Sequence, residues 1–221
     1  MGGQRSWDDL FTDPRFHWEQ PDPAVIAAAP HWRRAGLRHI HDLGCGAGRH
    51  MAFLQSEGFE VIGSDLSPRG LAACTRQLRG AGLPRAVIRA DMSVLPFSDG
   101  AFDATVATNV LNHGSRAKLQ RAADEIHRTL RPRGQVLLTV LNTWDWRFGS
   151  GSSPEPNTWV LADGPEAGIL HHFFDEPDLR AWLAAFEILQ LERVRGLLEL
   201  STAPGDRPVY RDAWQVLARR A

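Results

Sequence analysis

The sequence predicts one α/β domain built on a doubly wound, mainly parallel β-sheet. Between residues 37 and 140, short apolar strands alternate with longer segments of helical periodicity, which is typical of a parallel sheet covered by helices on both faces. The chain has 221 residues, which is long enough for one sizeable core. Hydrophobic residues make up 43% and charged residues 23%, as in ordinary globular proteins. We therefore predict a single domain over residues 1–221.

The individual elements follow from apolar periodicity and from residues that start or stop helices. Ser67 followed by Pro68 opens one helix, and Asp175 with Asp178 three residues later opens another. A helix beginning at Ala24 is predicted to end at Pro30. The predicted strands cover residues 37–43, 59–64, 86–90, 102–108, 135–140, 187–194 and 209–217, and further helices cover 49–57, 67–80 and 116–130. The turn-rich segment TAPGDRP between the last two strands predicts a hairpin with an antiparallel strand at the end of the sheet.

Two segments interrupt this alternation. Residues 1–36 are predicted to form an N-terminal arm that acts as a lid or packs on the domain, since its aromatic residues recur irregularly: Trp7, Phe11, Phe16 and Trp18. From 143 to 170 the periodicity gives way to Gly, Ser, Pro and Trp. Loops of this length are typically lids or binding insertions, and we predict a lid-like insertion. A disordered segment is the alternative, against which the tryptophans count.

Composition and charge argue against several classes of protein. The formal net charge is −1 and no basic tail is present, so no nucleic-acid partner is expected. Cys45 and Cys74 are the only cysteines, which predicts neither a disulfide framework nor a metal site. With no leader and no apolar run of membrane length, we expect a soluble cytoplasmic monomer or homodimer without membrane contact. Lys118 is the only lysine among 25 Lys and Arg residues, which we interpret as compositional bias.

The stretch HDLGCGAGRH joins a predicted strand to a predicted helix through three alternating glycines, Gly44, Gly46 and Gly48. Such a turn brings backbone N–H groups and the positive end of a helix together, and glycine lets a ligand approach the main chain. A dinucleotide fingerprint would require a third glycine at position 49, where Arg49 stands, and this disfavours a nicotinamide-dependent oxidoreductase. Asp42 precedes the glycines, either as support for the loop and its ligand or as a purely structural partner.

The next two strand ends carry further polar residues. Asp65 ends the second strand, where a carboxylate can accept both hydroxyl groups of a ribose. Alternatively, Asp65 caps the helix predicted to start at Ser67. Asp91 and Met92 follow the third strand and suit the amino group and ring face of an adenine. Three successive strand ends thus predict a nucleoside site.

These motifs resemble the class I S-adenosyl-L-methionine-dependent methyltransferases. The resemblance rests on HDLGCGAGRH, VIGSDLS, ADMSVLPFSDGAFDATVATNVLNH and LRPRGQVLLTV, and covers roughly residues 37–219. It implies a Rossmann-like sheet of seven strands in the order 3-2-1-4-5-7-6 with strand 7 antiparallel. It also implies S-adenosyl-L-methionine as cofactor and S-adenosyl-L-homocysteine as product. The implied cofactor contacts are Gly44, Gly46 and Gly48 at the methionine part, Asp65 at the ribose, Asp91 and Met92 at the adenine, and Asn109 beside the methyl group, with Asp42 and Leu66 as further cofactor-binding residues.

Methyl transfer from a sulfonium is an in-line displacement, for which close alignment of the acceptor supplies much of the rate. An amine or phenol acceptor must also lose a proton, and histidine accepts one near neutral pH. The candidates are His113, beyond the fourth strand, and His171 and His172, after the insertion. Each of them has an alternative role in packing or capping.

The predicted activity is methyl transfer to a small molecule. The segments WDDLFTDPRFHWEQ and HHFFDEPDLRAW also resemble a bacterial branch of small-molecule methyltransferases. The chain has TNVL where base-amino methyltransferases carry an N/D-P-P-Y/F motif, and no catalytic cysteine pair is available. RNA or protein as acceptor, and a SAM-binding module without turnover, are the alternatives.

Overall fold

The computed structural model describes residues 6–13, 16–198 and 209–221, with the backbone alone at 197–198 and 209–210. The helices are α1 (Trp7–Leu10), α2 (Pro23–Arg34), α3 (Arg49–Ser56), α4 (Pro68–Gly80), α5 (Arg116–Thr129) and α6 (Glu176–Trp182). The strands are β1 (His39–Leu43), β2 (Glu60–Asp65), β3 (Val87–Arg89), β4 (Phe102–Thr108), β5 (Leu130–Leu141), β6 (Ser152–Glu155), β7 (Thr158–Val160), β8 (Leu170–His172), β9 (Phe186–Leu198) and β10 (Val209–Arg220). The predicted hairpin segment TAPGDRP lies outside the described residues.

The main sheet has seven strands in the order β3-β2-β1-β4-β5-β10-β9. The strands from β1 to β5 pair in parallel, whereas β10 is antiparallel to both β5 and β9. Counted along this sheet alone, the order is 3-2-1-4-5-7-6, which confirms the predicted topology. The carboxyl ends of β1, β2 and β4 and the start of β10 consequently meet at one edge of the sheet, where open α/β sheets bind their ligands.

The core occupies both faces of this sheet. β4, at its centre, is buried along its whole length, as expected for a parallel strand covered on both sides. On one face Ile126 of α5 and Trp182 of α6 pack on the sheet, and on the other Trp32 of α2 and Leu54 of α3 do so. These helices hold the loops at the carboxyl edge of the sheet in place, because each helix either begins just after a strand or packs against a strand.

The predicted helix starts at Ser67 and Asp175 are confirmed. The Ser67 hydroxyl accepts the N–H of Gly70 at 3.0 Å, and the Asp175 carboxylate accepts the N–H of Asp178 at 2.8 Å. Each bond satisfies one of the backbone donors that the first turn of a helix leaves unpaired. Asp65 is therefore not the cap of α4, since Ser67 holds that position.

Two predictions about local structure are wrong. Helix α2 does not end at Pro30 but continues to Arg34, because Ala29 and Trp32 are buried against the core on either side of the proline. The segment predicted to lack regular structure contains β6 and β7, which form a three-stranded antiparallel sheet with β8. These strands have only three or four residues each, too few to show the alternation that marks a strand.

Among the described helices, none combines the length and the apolar character needed to cross a membrane.

Candidate active site

A cavity of about 200 Å³ lies at the carboxyl edge of the main sheet. Its walls come from four parts of the chain. They are the N-terminal arm (Trp7, Phe11, Phe16, Trp18), the strand ends (Gly44, Gly46, Asp65, Leu66, Asp91, Met92, Asn109), the segment after β4 (Val110, Asn112, His113) and the insertion with β10 (Trp146, Arg147, Leu161, Glu166, Arg211). One space therefore adjoins both the predicted nucleoside site and the predicted lid segments.

The glycine loop has a backbone that side chains would not tolerate. Gly44 has a φ of 68°, and a Cβ there would lie 2.2 Å from Cγ2 of Val110. At Gly48 φ is 95°, and a Cβ would lie 2.5 Å from Sγ of Cys74. Gly44 and Gly46 line the cavity, whereas Gly48 is buried behind it and lets α3 approach α4. The first two glycines thus open the main chain to a ligand, and the third permits close helix packing.

Asp65, the last residue of β2, lines the cavity. Its Oδ2 accepts the N–H of Gly46 at 2.9 Å and its Oδ1 accepts the N–H of Ser67 at 2.8 Å. Burial raises the pKa of Asp65 above its ordinary value, against the lowering effect of these two donors. The backbone N–H of Leu66 also donates to this carboxylate. A carboxylate has about four acceptor positions, so part of its capacity stays available for hydroxyl groups of a ligand.

Asp91 and Met92 line the cavity beyond Asp65. Lys118 donates to Oδ2 of Asp91 at 2.8 Å and the N–H of Ser93 donates to Oδ1 at 2.9 Å. Partial burial works to raise the pKa of Asp91, but the bonds from Lys118 and Ser93 outweigh it and lower the pKa. The only lysine of the chain therefore belongs to the cavity wall. The interpretation of Lys118 as compositional bias did not predict this position.

Asp42 is buried behind the glycine loop and does not line the cavity. Its Oδ1 lies 3.7 Å from Nδ1 of His50 in α3. No described hydrogen bond reaches its Oδ2 within residues 6–13, 16–198 and 209–221. Asp42 can act on a ligand only through the loop, so its role in cofactor binding stays a prediction.

At the other end of the cavity the chain turns sharply after β4. Asn109 has a φ of 62°, a region that residues other than glycine rarely occupy. The turn is held by Thr139 of β5, whose hydroxyl donates to Oδ1 of Asn109 at 2.9 Å and accepts the N–H of Asn109 at 3.0 Å. The carbonyl of Asn109 in turn accepts from Nε2 of His113 at 3.1 Å.

The three predicted histidines lie at different depths. His113 lines the cavity, whereas His171 and His172 are fully buried and do not. The ring of His171 packs edge-on against His113 at 4.7 Å, and its Nε2 lies 3.2 Å from Oε2 of Glu166. Burial, followed by the charge of His171, lowers the pKa of His113 well below its ordinary value, so His113 is neutral at pH 7.

His172 uses both ring nitrogens in bonds away from the cavity. Its Nδ1 lies 2.7 Å from the hydroxyl of Thr158, and its Nε2 lies 2.8 Å from Oδ2 of Asp178. Burial lowers the pKa of His172 to about 4. These contacts join β7, β8 and α6, so the observed geometry of His172 is that of a structural link.

The N-terminal arm covers the cavity. Asp8 accepts the Ser67 hydroxyl at 2.7 Å and forms an ion pair with Arg69 at 2.8 Å, which attaches α1 to the start of α4. The bond from the Arg69 backbone and the bond from Ser67 lower the pKa of Asp8. Phe11 then lies against Gly46, where a Cβ would come within 3.0 Å of its ring. The arm and the glycine loop thus enclose a cradle that a side chain at position 46 would fill.

Sequence reasoning missed the arginines of the site. Arg147 in the insertion pairs with Asp145 at 2.8 Å and with Glu166 at 2.8 Å. Arg49, at the start of α3, donates to the carbonyl of Gln20 and to the hydroxyl of Thr108 at 3.1 and 3.2 Å. In a chain so rich in arginine, no local pattern distinguishes these residues from exposed ones. In the described ranges no three His, Cys, Asp or Glu side chains gather as metal ligands would.

A glycine turn, an acid at the end of β2 and a Rossmann-like sheet with an antiparallel seventh strand define a nucleoside-binding α/β protein. Residues 40–134 match the model of a methyltransferase-domain family. A putative methyltransferase of Encephalitozoon cuniculi is 31% identical over 167 residues, covering 75% of this chain and 69% of that protein. The chain belongs to the class I S-adenosyl-L-methionine-dependent methyltransferase family, and S-adenosyl-L-methionine is its cofactor. The cradle at Gly46 and the free acceptor positions of Asp65 fit that nucleoside.

Other relatives differ in what they methylate. The tRNA N(3)-methylcytidine methyltransferase of Drosophila melanogaster is 29% identical over 221 residues, covering 86% of this chain and 66% of that enzyme. The chain spans only about half of two other curated relatives that it matches, a demethylmenaquinone methyltransferase and a tRNA U34 carboxymethyltransferase.

Solved structures agree on the fold. A SAM-dependent methyltransferase of Methanosarcina mazei has a TM-score of 0.70 at 20% identity, covering 91% of this chain and 98% of that one. The 1,6-didemethyltoxoflavin N1-methyltransferase of Burkholderia thailandensis, solved with its substrate and S-adenosylhomocysteine, has a TM-score of 0.61 at 21% identity, covering 96% and 81%.

Proposed function

We propose that this protein transfers the methyl group of S-adenosyl-L-methionine to a small molecule held in the same cavity. The observation that carries the proposal is the enclosure of that cavity. Its nucleoside side is formed by strand ends, and its other side by Trp7 of the arm and by Trp146, Arg147 and Glu166 of the insertion. An acceptor held between these walls lies next to the cofactor and away from bulk water, as an in-line displacement requires.

The proposed cofactor contacts divide into two groups. Gly44, Gly46, Asp65, Leu66, Asp91, Met92 and Asn109 line the cavity, whereas Asp42 and Gly48 act from behind the loop. Asp65 accepts the two ribose hydroxyls, and hydrogen bonds to a charged group contribute about 1.5–3 kcal/mol each. Bound S-adenosyl-L-methionine supplies an electrophilic methyl group on a positively charged sulfur.

His113 is the proposed group that contacts the acceptor. Because its Nε2–H donates to the carbonyl of Asn109, its basic nitrogen is Nδ1. The lowered pKa keeps that nitrogen unprotonated at neutral pH. In the free protein the side-chain amide of Asn112 donates to it at 3.3 Å, and an acceptor hydroxyl or amine takes the place of that bond when it donates a hydrogen bond or a proton. His171 acts through His113 by packing against its ring. His172, with both nitrogens engaged elsewhere, has at most a positioning role.

Two alternatives have their own support. The likeness to a tRNA methyltransferase over 86% of the chain favours RNA as acceptor. The net charge of −1 and the enclosure of the cavity favour a small molecule, since RNA needs a cationic surface. A SAM-binding module without turnover would use the same glycines and the same Asp65.

Two measurements test the proposal. At about a hundred times its dissociation constant, S-adenosylhomocysteine should raise the melting temperature by about 5–10 °C, since binding then contributes roughly 2.7 kcal/mol. NAD should give no rise. Incubation with methyl-labelled cofactor and fractionated lysate should label the small-molecule fraction. Label confined to RNA or protein contradicts the proposed acceptor, and binding without label in any fraction supports the non-catalytic alternative.

A further inference from the structure

Arg211 is an arginine of the cavity wall without a carboxylate partner. It lies on β10, and its one described hydrogen bond, from Nη2 to the Thr139 hydroxyl, is 3.5 Å long. That exceeds the usual N–H···O range of about 2.7–3.2 Å. In the described part of the chain no carboxylate oxygen lies within 4.0 Å of its guanidinium.

The acids near Arg211 are already engaged. Asp145 and Asp22 are the carboxylates whose charges act on it. Both oxygens of Asp145 accept from Arg147, at 2.8 and 3.2 Å, and one of them also accepts the N–H of Asp212 at 3.0 Å. Asp22 caps the first turn of α2. Neither acid has its full acceptor capacity available for Arg211.

The adjacent acid on β10 is also engaged. Asp212 binds Arg193 at 2.7 and 2.8 Å and the amide of Asn142 at 2.6 Å. Because successive side chains of a strand point to opposite faces, Asp212 points away from the face that Arg211 presents to the cavity. Arg49 adds to the positive charge around Arg211.

An arginine held in this way retains the capacity to bind an anion. Burial, with the charges of Arg147 and Arg49, lowers the pKa of Arg211 to about 10, which leaves it protonated at pH 7. A guanidinium removed from water without a counter-charge is costly, and its planar fork matches the two oxygens of a carboxylate. Within residues 6–13, 16–198 and 209–221 this cation contacts no counter-charge, so an anionic ligand can supply its partner.

The position of Arg211 in the sheet indicates which ligand. The backbone of β10 is separated from that of β1 by β4 and β5, roughly 14 Å at the usual strand spacing, but the guanidinium of Arg211 reaches back to the hydroxyl of Thr139 on β5. Arg49 begins α3 directly after the glycine loop, so it is the arginine next to the predicted methionine part of the cofactor. Arg147 and Trp146 of the insertion line the cavity together with Arg211.

We infer that Arg211 binds an anionic group of the methyl acceptor, a carboxylate or a comparable oxyanion. The inference rests on the proposed function, because it requires a small molecule beside the cofactor. It narrows the acceptor to an acidic compound that enters the cavity with its anion at Arg211, beside Thr139, and its nucleophilic atom toward His113.

The first test is the stability of Arg211→Met in the full chain without ligand. Removing a partly buried charge that contacts no carboxylate among the described residues should leave the melting temperature unchanged or raise it. Arg121→Met, at an exposed position, is the control for loss of one arginine. A fall of several degrees in Arg211→Met relative to this control would show that Arg211 is a structural residue, and would overturn the inference.

The second test uses benzoate and its neutral analogue benzamide as probes of the protein saturated with S-adenosylhomocysteine. Benzoate should bind the wild type at millimolar concentration at least about tenfold more tightly than benzamide, a difference of about 1.4 kcal/mol. Arg211→Met should abolish this preference, and Arg211→Lys should keep part of it. Absence of the preference in the wild type, or its persistence in Arg211→Met, contradicts the subsite.

A third measurement separates the acceptor from the cofactor as the source of the anion. Titration calorimetry with S-adenosylhomocysteine and with 5′-methylthioadenosine, which lacks the amino-acid part, should give unchanged affinities in Arg211→Met. A loss for S-adenosylhomocysteine alone would assign Arg211 to the cofactor carboxylate and overturn the inference. Failure of the wild type to bind S-adenosylhomocysteine at all would instead contradict the proposed function.

Discussion

The indole of Trp7 packs edge-on against the imidazole of His113, with ring centroids 4.3 Å apart and planes inclined at 62°. Trp7 belongs to the N-terminal arm and His113 to the segment after β4, so this contact joins the two ends of the proposed acceptor region. The same ring of Trp7 lies edge-on to Phe16 at 6.4 Å. The burial that lowers the pKa of His113 therefore depends on the position of the arm.

Replacing Trp7 by alanine should open this contact. An aromatic pair contributes about 0.5–1.5 kcal/mol beyond its buried area, and water should reach the imidazole once the indole is gone. Because burial is the largest cause of the lowered pKa, the pKa of His113 should rise toward its ordinary value of 6.5. An NMR titration of the histidine resonances measures this rise. Methyl transfer should fall about tenfold or more, as expected when water enters the site.

Trp144→Ala is the matched control for this prediction. Trp144 is more exposed than Trp7 and, like Trp7, packs edge-on against another aromatic ring, that of Trp214 at 5.6 Å, but it does not line the cavity. The Trp144→Ala substitution should leave the titration of His113 unchanged. An identical titration in Trp7→Ala and the wild type would contradict a covering role for the arm.

Asp65→Asn should weaken S-adenosylhomocysteine binding by about ten- to a hundredfold, because hydrogen bonds to a charged carboxylate contribute about 1.5–3 kcal/mol. Titration calorimetry measures the loss. In the wild type the affinity should also fall as the pH falls through the pKa of Asp65, which burial raises above its ordinary value of 3.8, since a protonated carboxyl accepts fewer hydroxyls.

The exposed Asp124 provides the control for charge removal, as Asp124→Asn should bind with wild-type affinity. Equal affinities in Asp65→Asn and the wild type would show that Asp65 does not hold the ribose.

The parts of the fold and the site that could be predicted are those encoded by short-range patterns. Strand and helix alternation predicts the parallel sheet, and a capping residue predicts where α4 and α6 begin. Gly44 and Asp65 were predictable because each stands at the end of a strand, and strand ends of parallel sheets meet at one edge. The strand order itself came from the family resemblance, because periodicity carries no information about which strands are neighbours.

The remainder depends on contacts between distant segments. Trp7 and His113, or Arg211 and Thr139, are far apart in the chain, and no spacing rule connects them. The continuation of α2 through Pro30 is also tertiary in origin, since burial of Trp32 outweighs the hydrogen bond that proline removes. The strands of the insertion could not be predicted, because they are too short to show the alternation of apolar and polar residues that marks a strand.

His113 and His172 should respond differently to the same substitution. His172→Gln should lower the free energy of unfolding by about 2 kcal/mol or more, because it disrupts buried bonds to Thr158 and Asp178. His113→Gln should change stability little but reduce methyl transfer by about a hundredfold or more if the imidazole accepts the proton. Urea unfolding and single-turnover transfer measure the two effects. If His172→Gln were as stable as the wild type but inactive in methyl transfer, the structural role assigned to His172 would be wrong.

His41 on β1 should make the stability of the whole domain sensitive to acid. It is fully buried, stacks on Phe102 with centroids 4.9 Å apart, and bonds to the hydroxyl of Ser64 at 2.8 Å. Burial lowers its pKa from 6.5 to about 3. Since the unfolded chain then binds the proton first, the contribution of His41 is complete above pH 6.5 and is lost as the pH falls toward 3. The loss amounts to roughly 1.4 kcal/mol per pH unit below 6.5.

Urea unfolding at several values between pH 7 and pH 5 isolates this effect by comparing the wild type with His41→Gln. The variant is less stable at pH 7, because it loses the stacking on Phe102, but its free energy of unfolding should fall less steeply with pH. His31→Gln, at an exposed position in α2, should retain the wild-type slope. If His41→Gln and the wild type lose stability in parallel, proton uptake by His41 on unfolding is not the cause, and the acid sensitivity has to come from the buried carboxylates.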